Sequence, residues 1–82
     1  MPTPTLEQAF GDQLRAKRKV AGLSQLELSL MADLHFTYIS QLERGLKSPS
    51  LKALFALASA LDTRPSDMVS AVELAVRSRR AR

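Results

Sequence analysis

The stretch that decides the fold is Leu23-Ser24-Gln25-Leu26-Glu27-Leu28-Ser29-Leu30-Met31-Ala32-Asp33-Leu34-His35-Phe36-Thr37-Tyr38-Ile39-Ser40-Gln41-Leu42-Glu43-Arg44-Gly45. Ser24 and Glu27, three residues apart, form a capping box in which each side chain serves a backbone N–H near the other. Leu23 stands at the staple position opposite Leu28. The helix so opened should end near residues 32–33, because Asp is one of the few residues with a side chain that tolerates a left-handed turn. A second, shorter helix follows over about residues 36–43, where Ile39 and Leu42 recur at a three-residue step and Gly45 supplies the stop.

Working outward, the same punctuation continues on both sides. Upstream, Leu6, Phe10 and Leu14 step by four and, with Ala9, Ala16 and Val20 beside them, predict a helix over about residues 6–21. Gly22 then stands where a left-handed residue is needed. Downstream, residues 46–49 are a loop and Ser50 caps a fourth helix, on which Leu51, Leu54, Leu57, Ala58 and Leu61 trace an apolar face. Asp62 and Thr63 make a turn, and Pro65, pre-set for a first helical position, opens a fifth helix reaching about residue 76. Residues 1–5 read as a flexible lead-in, 6–76 as a single domain and 77–82 as a basic tail. Fourteen Leu and eleven Ala against four Val and one Ile favour helix over sheet, so the expected class is all-α, a compact five-helix domain.

Composition removes several functions. There is no cysteine and one histidine, His35, so thiolate zinc sites, disulfides, thiol nucleophiles and multi-histidine metal sites are all unsupplied. No metal, nucleotide or nucleophile signature accompanies Glu27, Asp33 and Glu43, the acids of the central stretch, and no enzyme, cofactor or metal is expected. The longest apolar stretch, residues 51–61, is broken by Lys52 and falls well short of the ~20 residues of a membrane span. The lead-in lacks the basic and apolar regions of a signal peptide, which predicts a cytoplasmic protein. The net charge of +4 raises a polyanionic partner. Its distribution matters more: residues 1–76 are neutral, while residues 13–52 carry seven basic and three acidic groups.

Two short helices joined by a tight turn, the second ringed by polar side chains, have the outline of a helix-turn-helix. A major groove about 12 Å wide admits one such helix while the other braces it across the backbone. Leu23-Ser24-Gln25, then Leu28, Ala32 and Leu34, then the run from Tyr38 to Gly45, then Pro49-Ser50-Leu51 resemble the lambda-repressor-like (XRE/Cro-type) helix-turn-helix domain over about residues 14–68, with the motif at about 25–44. The resemblance implies double-stranded DNA as partner and base-reading by Phe36, Thr37 and Gln41. Gln41 is suited to bond adenine bidentately and Thr37 offers a hydroxyl or methyl. Phe36 departs from the polar residue usual there and either touches a thymine methyl or folds back onto the protein. Phosphate contacts are implied for Gln25, Tyr38, Ser40, Arg44 and Lys47, with Tyr38 equally suited to half-buried packing with a wet tip. His35 is expected to cap the third helix. The resemblance also pairs Arg18 with Glu43 as a structural bridge between the first and third helices, leaving Arg15, Lys17 and Lys19 to solvent or phosphate.

Leu26, Leu30 and Met31 depart from the charged residues usual on the second helix. Either the chain's own ends, the lead-in or the fifth helix, cover Leu26 and Leu30, which is the favoured expectation, or the two meet a partner chain. The fifth helix shows Met68, Val69, Val72 and Val76 along one side, an expected homodimer interface that would set two third helices one DNA turn apart to read an inverted repeat. The resulting expectation is a small dimeric transcriptional regulator with no small-molecule ligand. Its size is similar to that of restriction–modification controllers and small phage-type repressors. The alternative is a protein-interaction or antitoxin-like module on the same scaffold. Neither the operator nor the choice between activation and repression is encoded legibly.

Overall fold

The computed structural model describes the backbone of residues 3–80 and the side chains of residues 3–77. Its order is α1 (Leu6–Val20), α2 (Gln25–Ala32), α3 (Phe36–Glu43), α4 (Leu51–Ala60) and α5 (Pro65–Arg80), with no strand among the described residues. Local signals account for the breaks. Ser24 Oγ accepts from the Glu27 N–H at 3.0 Å while Glu27 Oε1 accepts from the Ser24 N–H at 2.8 Å. Asp33 closes α2 in the left-handed region at φ 55°, and Asp62 does the same after α4 at φ 53°. Gly22 and Gly45, at φ 75° and 73°, occupy backbone that a side chain would strain.

Within the described residues, helix structure extends further toward both ends than the sequence suggested. Thr5 belongs to α1 and not to a loose lead-in: its hydroxyl accepts from the Gln8 N–H and Gln8 Oε1 accepts from the Thr5 N–H, each at 3.0 Å. This second capping box was present in the sequence as Thr-x-x-Gln. At the other end α5 runs through Arg80 and does not stop near residue 76. No glycine or proline interrupts residues 77–80, and Arg and Ser continue a helix without strain. The expected lead-in and tail otherwise fall partly on residues 1–2 and 81–82, outside the described residues.

α1 packs against α3 and α5, α2 against α3 and α4, and α4 against α5. The core they enclose holds Phe10, Leu14, Leu28, Ala32, Ile39, Leu42, Leu54, Leu57, Ala58 and Met68, with Leu23, Leu34, Tyr38, Leu61 and Val72 packed around it. Met68 is 0% exposed, so it fills the core and is withdrawn from any free face of α5. The inner face of α4 is Ala53, Leu54, Leu57 and Ala58, which leaves Leu51 outside it, as Leu6 is left outside the inner face of α1. Neither residues 3–5 nor the described part of α5 covers the second-helix stripe: Leu26, Leu30 and Met31 are exposed, Leu30 at 72%. The physical reason is directional, since α2 spends its inward face on Leu28, Ser29 and Ala32 and packs against α3 and α4, while α5 packs against α1 and α4.

α1 comes very close to the end of α3 at Gly11. A Cβ there would stand 2.5 Å from the Leu42 carbonyl oxygen and 2.8 Å from that of Glu43, so only glycine lets α1 lie directly on the last turn of α3.

Candidate nucleic-acid interface

α3 is held at its beginning, middle and end by different neighbours. His35 caps it, Nδ1 accepting from the Thr37 N–H at 3.0 Å. Mid-helix, the Tyr38 hydroxyl accepts from the Ser50 N–H at 3.1 Å, which ties α3 to the start of α4. At the end, Glu43 is a buried acid whose carboxylate is 0% exposed. It accepts from Arg18 Nε at 2.6 Å on Oε2 and from Arg18 Nη2 at 2.9 Å on Oε1, a bidentate pair. Arg18 Nη1 adds a bond to the Leu23 carbonyl at 2.9 Å, so one guanidinium locks α1, the α1–α2 turn and α3 together.

Two further groups converge on Glu43 Oε1. Gln25 Nε2 donates to it at 3.0 Å, and Arg15 Nε lies 3.5 Å away. Burial pushes the Glu43 carboxyl up, but the hydrogen bonds from Arg18 and Gln25 with the charges of Arg18 and Arg15 outweigh it, and the group sits below the usual carboxylate value. Arg18 is correspondingly raised, chiefly by its bond to Glu43. Arg15 is thus not simply a solvated cation. The sequence signal for it was its place three residues before Arg18, on the same side of α1.

Between these anchors the outer surface of α3 is free to meet a ligand. Phe36 and Thr37 are exposed and Gln41 is half-buried. Phe36 projects outward at 45% exposure instead of folding fully onto the protein. Ser40 and Tyr38 are half-buried, while Arg44 and Lys47, just beyond the helix, are exposed. The loop that carries Lys47 is braced against α1 by Ser48 Oγ, which donates to Glu7 Oε2 at 2.9 Å. The Glu7 backbone N–H first, and then the Ser48 hydroxyl, hold its carboxyl below the ordinary value. This brace links residues 41 apart and had no local signal in the sequence.

α5 presents a different surface. Val69 is exposed and Val72 and Val76 half-buried, and they line shallow apolar grooves with Leu6 of α1. No helix among the described residues is long and apolar enough to cross a membrane, and none of their His, Asp or Glu side chains gather in threes as a metal site would need.

This arrangement has close counterparts. Residues 14–68 match the helix-turn-helix family HTH_3. Control protein C.BamHI of Bacillus amyloliquefaciens is 35% identical over 68 residues, which cover 82% of this chain and 84% of that protein. The clp gene regulator ClgR from Corynebacterium glutamicum superposes with a TM-score of 0.86 at 30% identity, covering 98% of this chain and 85% of the other. The restriction–modification controller C.AhdI from Aeromonas hydrophila does so with a TM-score of 0.74 at 37% identity, over 76% and 94% of the two chains. The matched residues contain α2, α3 and α4 whole, and with them Arg18, Glu43 and the outward surface of α3. The chain therefore belongs to the helix-turn-helix family in its lambda-repressor-like form, whose members are transcriptional regulators that bind double-stranded DNA and are not enzymes.

Proposed function

We propose that the chain is a cytoplasmic, homodimeric and sequence-specific regulator of the control-protein type, reading an inverted repeat through α3. The observation that carries this reading is the outward surface of α3, Phe36, Thr37 and Gln41, mounted on a helix whose far end is locked by the Arg18–Glu43 pair. A base-reading helix must hold its side chains to a fraction of an ångström against base edges, and a bidentate buried pair supplies that rigidity. In this reading Gln25, Tyr38, Ser40, Arg44 and Lys47 meet phosphates. The Tyr38 hydroxyl accepts from Ser50 and keeps its own hydrogen to donate. The exposed and half-buried residues Val69, Val72 and Val76, with Leu6, form the dimer face, and Met68 drops out of it. C.BamHI and C.AhdI, a control protein and a restriction–modification controller, are matched over most of their own length, which favours the same type of role here.

Selection of bound sites from random duplexes tests the reading as a whole. The expected product is two half-sites related by a dyad and spaced by one helical turn, about 34 Å. Sedimentation that finds only monomer at tens of micromolar, with and without the selected duplex, refutes the dimer. The exposed Leu26, Leu30 and Met31 favour a second reading, a protein-binding module on this scaffold. Gel shifts across a salt series separate the two, since DNA binding loses affinity steeply as salt rises and a protein-binding module shows no such duplex affinity.

A further inference from the structure

We infer that Arg15 and Gln25 together form a seat for one backbone phosphodiester of the DNA, with Arg15 as an anchoring cation outside the helix-turn-helix itself. The inference rests on the DNA-binding reading above and adds a contact from α1 to it. Three observations carry it. First, the Glu43 carboxylate is already satisfied without Arg15: Arg18 takes both oxygens and Gln25 adds a third bond. Arg15 lies 3.5 Å away at Nε, longer than any of these bonds, and among the described residues its guanidinium makes no hydrogen bond to the protein.

Second, the charges do not cancel. Two guanidinium groups around one carboxylate leave one unit of positive charge, and like charges set side by side raise the energy of the free protein unless an anion joins them. Arg18 is 12% exposed and its three nitrogens are all engaged, so the surplus is presented to solvent by Arg15, whose side chain is 49% exposed. Third, Arg15 and Gln25 touch the same oxygen, so their donor nitrogens stand no further apart than those two short contacts combined. The Gln25 amide gives one hydrogen to Glu43 and has a second to give. It also lies in the first turn of α2, where the helix dipole favours an anion. A planar guanidinium fork beside an amide donor matches the two non-bridging oxygens of a phosphate. The bond to Glu43 orders Gln25 in advance, and Glu43 Oε1 steers the Arg15 stem.

The test compares the whole chain with Arg15→Met and Arg15→Lys on the selected duplex, over a salt series, with thermal unfolding run in parallel. Loss of one phosphate contact is expected to reduce the salt slope by roughly one unit in Arg15→Met while the preferred site is unchanged, with the slope largely restored in Arg15→Lys. A purely structural Arg15 would lower the melting temperature and leave the slope intact, which overturns the inference. Duplexes carrying a neutral methylphosphonate at single positions supply the second arm. One position should weaken the unaltered chain and produce no additional loss in Arg15→Met, whereas additive losses at every position overturn the assignment. If the unaltered chain shows no salt-sensitive duplex affinity, the DNA-binding reading fails and this seat with it. If that affinity is present but equally steep in Arg15→Met, the seat alone is wrong.

Discussion

Replacing Gly11 by Ala sets two effects of known size against each other. In a helix interior Ala is favoured over Gly by about 1 kcal/mol, so by propensity alone the change should stabilise α1. Against this, the new Cβ would stand 2.5 Å from the Leu42 carbonyl oxygen and 2.8 Å from that of Glu43. Carbon–oxygen contacts settle near 3.3–3.6 Å, so α1 and α3 must part by roughly 0.8 Å, and what lies in the way is backbone and not a side chain that can swing aside. Forcing a methyl group into packed structure costs ~1–3 kcal/mol, with more where backbone must move. The clash therefore wins, and a net loss of about 1–2 kcal/mol should lower the melting temperature by roughly 5–15 °C in a domain of this size. The same separation draws Glu43 away from Arg18, so the loss should be less than additive when Gly11→Ala is combined with Arg18→Met. Thermal unfolding by circular dichroism measures both. A melting temperature equal to or above that of the unaltered chain would refute the reasoning, because it would mean that propensity outweighs the contact.

The other expectations concern the same scaffold. Arg18→Met leaves the buried Glu43 with only Gln25 and Arg15, and urea unfolding should show a loss of about 3–5 kcal/mol, toward the lower end because those two partners remain; a loss below about 1 kcal/mol would count against the bridge. The folded Glu43 carboxyl lies below its ordinary value of 4.5, so its contribution is complete above that pH and is lost as pH falls through the lower folded value. The stability difference between the unaltered chain and Glu43→Gln should accordingly shrink on acidification, and a difference that grows would reverse the sign assigned here. Met68→Ala should cost ~2–5 kcal/mol as a core cavity; an unchanged unfolding curve with an altered sedimentation coefficient would return Met68 to an interface. Gln41→Ala should relax preference at one base pair by about 1–3 kcal/mol, read by ranking single-substitution duplexes, and uniform weakening on all of them would remove Gln41 from base reading.

Much of this was legible locally because helix ends are decided by their nearest residues. Ser24 with Glu27, Gly22, Asp33 and Gly45 name the breaks around the two central helices, and each acts within a turn or so of its own position. The outward surface of α3 was legible through the family resemblance, with residues 37 and 41 sharing a side by their four-residue step and residue 36 opening the first turn. The errors have the opposite character. Leu26 and Leu30 drew an expectation of cover because apolar residues usually find some, yet what covers a stripe depends on where the chain's ends lie in space. Met68 and Val69 are neighbours in sequence with opposite fates, buried and exposed, because α5 turns about 100° per residue against a core whose position no local rule supplies.

By itself, then, the sequence determined five helices, their caps and the central pair whose turn length allows one helix to lie across the other, since all of these are short-range hydrogen-bonding and conformational effects. Only the tertiary structure decided the groups that meet across it. Gly11 lies against the end of α3, Ser48 against Glu7, and Arg15 and Gln25 join the Arg18–Glu43 pair that the family resemblance had already implied. Those contacts join residues 18 to 41 positions apart, and their energies depend on distances and burial that exist only once α1 has been laid over α3.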